Sequence, residues 1–264
     1  MVRKIYQLIT RISPALGSPV QEDHPNRAGN LPAVNTTTAE LDPRDEYIRR
    51  VVRNKSFVDI GGLSNVIHER VSIAAKAGAK SVCLIDVEDE QCNWWKELSV
   101  KLDAENIVCE FISADILQYQ PCQYDVVHSS GVIYHLPKPM EYLLQLRKIT
   151  KEYCILTSTT VSRCMETESG RLELPESCVL FVPALTGQEQ NIVKEWFLRA
   201  GRGDVTEREE DCGGWNNIEN YYPNWFFPTV SAFKKMACCA GFEIVDERAV
   251  EPNDYSYCLL LKPR

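Results

Sequence analysis

The chain has 264 residues, of which 29 are Lys or Arg and 37 are Asp or Glu, giving a formal net charge of −8 at pH 7. That length suits one large domain, or a domain carrying an insertion, and 44% hydrophobic with 25% charged residues excludes collagen, coiled coil and full-length disorder. No run of about 18 apolar residues occurs, so no membrane-spanning helix is expected, and the acidic balance argues against a nucleic-acid partner, which needs a basic surface.

Eleven cysteines are present, with no C-x-x-C pair, so a zinc site or redox dithiol has little support. Cys83 in SVCLID and Cys258 in SYCLLL sit inside apolar runs, where cysteine acts as a small core residue. Together with the lack of a signal-peptide pattern, this points to free thiols and a cytoplasmic location.

The chain opens with MVRKIYQLITRI, where Ile5, Leu8, Ile9 and Ile12 share one helical face. Such a helix can dock on its own domain or on a partner subunit, which allows a homodimer. A stretch rich in Pro, Gly, Asn and Thr follows, so residues 1–45 are read as a helix and an irregular strap. A helix is expected from Pro43 to about Arg53, with Arg44, Arg49, Arg50 and Arg53 on a solvated face.

Residues 46–264 then read as one domain of alternating strands and helices. KSFVDI, SVCLIDV, IVCEFIS, QYDVVHSS and EYCILTST are short apolar runs of strand type. VIHERVSIAAKAG, residues 90–103 and PMEYLLQLRKIT separate them as helices. This alternation implies a doubly wound, parallel α/β sheet. Residues 161–226 break the rhythm and are read as an insertion that passes over the strand ends as a lid. A last helix, opened by Pro228-Thr229 and closed by Gly241, precedes FEIVDERAV and SYCLLLKP, a terminal hairpin with one strand antiparallel to the sheet.

In such a sheet, ligands bind at the carboxyl ends of the strands, near the switch in strand order. After the first strand come Asp59, Gly61 and Gly62, where glycine lets the backbone approach a ligand closely and Asp59 could hold an ammonium. Asp86, followed by Val87, ends the second strand, where an acid can accept from both ribose hydroxyls. Asp115 could accept from an adenine amino group, with the Ile116 N–H facing a ring nitrogen. Ser129, Tyr134 and His135 follow the fourth strand. A dinucleotide fingerprint G-x-G-x-x-G is absent, because Leu63 and Ser64 follow Gly62.

VDIGG, LIDVEDE, SADI and YDVVHSSGVIYHLPKP resemble, in that order, the first motif, second-strand acid, adenine-contact motif and fourth-strand motif of the class I S-adenosylmethionine-dependent methyltransferases. The resemblance covers about residues 50–160 and the terminal hairpin. It implies a Rossmann-like sheet of seven mostly parallel strands with S-adenosylmethionine as cofactor. GVIYHL and NWFFPTVSAFKKMACCAGFEIVDE are similar to the branch that modifies tRNA wobble uridines by methyl or carboxymethyl transfer. Leu63 and Asn65 stand where the first motif usually has glycines, so Leu63 is expected to narrow the cleft.

The −8 charge and the absence of an extended basic N-terminal region turn the expectation towards a small organic or sugar-containing acceptor, methylated on oxygen. His135, whose reference pKa of about 6.5 suits a base at neutral pH, is the expected general base. His128, within its strand, reads as structural. Tyr134 orients substrate or lines the cofactor pocket. Trp215, Tyr222 and Trp225, with Tyr221, Phe226 and nearby asparagines, are the expected substrate-facing aromatics. The four histidines lack metal-ligand spacing, so no metal is expected.

Overall fold

The computed structural model describes residues 42–63, 69–119, 122–203, 205–207, 224–251 and 255–264. The N-terminal helix and strap expected before residue 42, together with Trp215, Tyr221, Tyr222 and Asn216, Asn217 and Asn220, lie outside the described residues. Five strands appear first: β1 (Ser56–Ile60), β2 (Ser81–Asp86), β3 (Cys109–Ser113), β4 (Tyr124–Ser130) and β5 (Thr150–Thr159). Strands β10 (Phe242–Glu251) and β11 (Ser256–Pro263) complete a seven-stranded sheet in the order β10-β11-β5-β4-β1-β2-β3. β3, β2, β1, β4 and β5 pair in parallel; β11 runs antiparallel to both β5 and β10.

Successive strand residues face opposite sides of a sheet, and both sides here are covered. On one side Val58, Ile60 and Val127 meet α4 (Pro139–Ile149), through Tyr142, Leu143 and Leu146, and α6 (Val230–Cys239), through Phe233 and Ala237. On the other, Phe57, Leu84 and Val126 meet α1 (Pro43–Val51), α2 (Val71–Lys76) and α3 (Asn93–Ala104). This two-sided burial explains why β1, β2 and β4 read as continuous apolar runs rather than alternating ones.

Local chemistry sets the helix starts. Asp42 accepts the Arg44 N–H at 2.9 Å ahead of Pro43, and Thr229 accepts the Ala232 N–H at 3.2 Å ahead of α6. Both are side-chain N-caps, and Pro at the first helical position suits the start of α1 and of α4.

Two expectations are corrected. Arg44 does not join the solvated face with Arg49, Arg50 and Arg53. Its guanidinium pairs with Asp42 and donates to the Ser130 hydroxyl at 3.1 Å, because the N-terminus of α1 lies beside the end of β4. Leu63 does not narrow the cleft: it is fully buried and packs with Phe57, Val71 and Leu84 under the helices.

Between β5 and α6 the chain forms a hairpin of β6 (Cys164–Thr167) and β7 (Gly170–Glu173), helix α5 (Gly187–Leu198) and a ribbon of β8 (Val179–Phe181) with β9 (Phe226–Pro228). These elements have their own core of Met165, Val182, Ile192, Val193, Phe197 and Phe227, which Tyr255 joins from the start of β11. The described cysteines are free thiols, and burial pushes those of Cys83 and Cys258 up to about 12. No helix among the described residues is long and apolar enough to cross a membrane.

Candidate cofactor and substrate site

β1 pairs with β2 on one side and β4 on the other, so the strand order reverses at β1. The crevice at such a reversal opens beyond the carboxyl ends of the strands. The turn leaving β1 fills one wall of it. Gly61 has φ +73°, and a Cβ there would lie 2.5 Å from Val132 Cγ2. A Cβ on Gly62 would collide with the Asp59 carboxylate. Only glycine fits either position.

Two acids grip this turn. Asp59 Oδ2 accepts the Arg70 N–H at 2.7 Å, and its Oδ1 lies 2.7 Å from His128 Nδ1. Asp59 is wholly buried, so its carboxylate braces the loop from inside instead of lining the crevice. Asp86, at the end of β2, accepts the Leu63 N–H at 3.2 Å and the Glu88 N–H at 3.2 Å. Val87, half-buried, follows it.

Beyond β3, Asp115 accepts the Leu117 N–H at 2.9 Å and the Gln118 amide at 3.1 Å. That is an Asx-type turn, which leaves Asp115 half-buried just beyond the end of β3. The Ile116 side chain is buried in the core beside Ile60 and Ile85. Ser129 differs from its neighbours: its hydroxyl shares a 2.6 Å hydrogen bond with Tyr142 of α4, so its side chain faces the core and leaves only backbone for the crevice.

After β4, Gly131 turns the chain and Ile133–His135 form a single 3-10 turn. Its tight winding places the Tyr134 and His135 rings 4.2 Å apart. His135 is 9% exposed and Ile133 anchors the turn in the core. The Tyr134 carbonyl accepts the Trp225 N–H at 2.8 Å, and the Tyr134 ring lies 6.1 Å from Phe227. The turn is therefore where the sheet meets the inserted elements. Trp225 is half-buried and stacks 6.2 Å from Phe181. Trp215 and Tyr222 lie outside the described residues.

Sequence reasoning overlooked a second polar layer. Arg70 is buried, and its guanidinium lies 2.7 Å from Asp45 and 3.4 Å from Asp42. With Arg44 and Ser130 these residues tie the start of α1 to the ends of β1 and β4. Asp42 and Asp45 bracketing an arginine was the available signal; nothing in VIHERV marked Arg70. Glu88 and Glu69 are also buried acids, the latter accepting from Ser72 N–H at 2.9 Å and Lys101 Nζ at 2.7 Å. Among the described residues no group of three His, Cys, Asp or Glu side chains could hold a metal ion.

Residues 58–156 match the protein family described as a methyltransferase domain. The matched segment runs from β1 to β5 and contains the acids, glycines and Tyr134–His135 described above. Over this segment the chain is similar to that methyltransferase domain. No curated protein matches the chain.

Solved structures share the fold at low identity. An S-adenosylmethionine-dependent methyltransferase from Clostridium acetobutylicum superposes with TM-score 0.51 at 10% identity, over 85% of this chain and 93% of its own. The pyocyanin biosynthetic protein PhzM gives 0.51 at 15% identity, over 84% of this chain and 54% of its own. The mitomycin 7-O-methyltransferase MmcR gives 0.50 at 11%, over 84% and 53%. The chain thus spans about half the length of PhzM and MmcR.

Proposed function

We propose that the chain is an S-adenosylmethionine-dependent methyltransferase that modifies an oxygen of a small organic or sugar-containing molecule. The observation that carries this reading is the pairing of the Gly61–Gly62 turn with Asp86 across the β1 and β2 ends, beside the strand reversal. Backbone without side chains admits a ligand closely, and an acid at the end of β2 suits a ribose. Asp115 and the Ile116 N–H would meet the adenine edge, with Val87 beside the ribose. Bound there, the cofactor supplies an electrophilic methyl group.

The chain's own residues then have three tasks. Gly61, Gly62 and Asp86 bind. Tyr134, with Trp225 bonded to its carbonyl, positions the acceptor where the inserted elements meet the sheet. His135, nearly buried in the turn after β4, takes the proton from the acceptor hydroxyl as that oxygen gains the methyl group. MmcR is named for O-methylation and has the same fold, which agrees with an oxygen acceptor. An RNA acceptor, as in the branch that Gly131–His135 resembles, would ask for a basic face, against a net charge of −8.

Calorimetric titration with S-adenosylhomocysteine tests the cofactor reading. Binding heat is expected from the wild type, and Asp86→Ala should weaken affinity by roughly tenfold or more, since the ribose loses a charged acceptor. Absence of heat with the wild type would overturn the reading.

A further inference from the structure

His128 is 1% exposed on β4, and no step above uses it. Its Nδ1 lies 2.7 Å from Asp59 Oδ1 on the neighbouring strand β1, while its Nε2 is buried without a hydrogen-bond partner. The ring stacks on Phe57 with centroids 6.2 Å apart and planes 23° apart, so packing fixes its orientation. An apolar residue would fill this strand position without leaving a buried nitrogen unsatisfied, which carries a desolvation penalty. The benefit that offsets that penalty must lie at Nδ1.

Asp59 shows what the benefit is. The second carboxylate oxygen accepts the Arg70 N–H at 2.7 Å, and the same carboxylate abuts Gly62 so closely that no Cβ fits. It therefore touches the loop after β1 near its start and again at its end. We propose that His128 is a positioning residue for the cofactor: by donating from Nδ1 it fixes the rotation of the Asp59 carboxylate, which in turn fixes the backbone at Gly62 and at Arg70. This rests on the cofactor reading above. A neutral ring that donates from Nδ1 carries no proton on Nε2. The bond lies on the face of the sheet covered by α1, α2 and α3, shared by Phe57 and Val126, so it acts through Gly62 and Arg70 and does not touch the ligand.

The test separates the hydrogen bond from the packing. His128→Phe keeps a ring against Phe57 but removes the donor; His128→Asn places an amide N–H where Nδ1 stands. Calorimetry with S-adenosylhomocysteine should show affinity lower by roughly tenfold or more in His128→Phe and largely restored in His128→Asn. Wild-type protein labelled with 15N-histidine should show a buried ring protonated on Nδ1, whose resonances move when S-adenosylhomocysteine saturates the site; this second measurement holds even if a variant fails to fold. Wild-type affinity in His128→Phe, equal loss in both variants, or a ring protonated on Nε2 would overturn the proposal. Failure of the wild type to bind would overturn the cofactor reading, and this inference with it.

Discussion

His135 sits in a three-residue turn whose other members are committed elsewhere. Ile133 is buried in the core, and the Tyr134 carbonyl holds the Trp225 N–H. The imidazole is thus placed by neighbours on both sides of the junction between sheet and insertion. If it accepts the acceptor's proton, His135→Ala should lower kcat about a hundredfold or more, the usual contribution of a positioned base, while S-adenosylhomocysteine affinity stays unchanged. A single-turnover assay with a hydroxyl acceptor, run beside the titration, separates these effects. Unchanged turnover would remove the base role.

At the scale of elements, β1 and β4 are joined at both ends by side chains as well as by their ladder. Asp59 and His128 join the carboxyl ends. At the amino ends Asp125 accepts the Ser56 N–H and hydroxyl at 2.8 Å each. The Ser56 backbone bond first, then its hydroxyl and Lys151, hold the Asp125 carboxyl below its ordinary value against the opposing effect of burial. Its folded value lies below an unfolded value of about 3.9, so its stabilisation is complete above that pH and fades as pH falls through the folded value. Asp125→Asn should therefore cost stability at pH 7 and progressively less towards pH 3, read from thermal melts at both values. An equal cost at both pH values would sink this account.

The strands of the sheet were legible because burial on two faces writes unbroken apolar runs, as in SVCLID. Side-chain direction was less legible. Leu63, read as an obstruction in the crevice, lies in the core because the chain turns at Gly61 before reaching it. Arg44, read as a surface charge, turns inward because its helix begins above β4. Ser129 follows strand alternation to Tyr142, although its place near the end of β4 suggested a ligand. The hairpin of β6 and β7 and the ribbon of β8 and β9 escaped notice because three- and four-residue strands carry too little pattern to stand out.

Among the described residues two layers of core flank the sheet and a third lies in the insertion. Phe197, fully buried, joins that third core to Phe227 at 5.0 Å and Tyr255 at 5.6 Å. Phe197→Ala should cost about 3–5 kcal/mol, lost chiefly from the inserted elements. Hydrogen exchange followed by mass spectrometry should show faster exchange across 161–198, with β1 and β4 still protected. Uniform loss of protection would mean that the insertion and the sheet unfold as one unit.

β11 follows all the other strands of its sheet in the chain, yet it lies between β5 and β10 and bonds to both. During synthesis β5 is made early and must wait, with one edge open, until residues 256–263 emerge. An exposed edge of this kind invites pairing with other chains. The inserted residues are translated within that interval, and Tyr255, which joins their core, arrives together with β11. The pairings of β11 with β5 and β10 are therefore the last in the sheet that the emerging chain can complete.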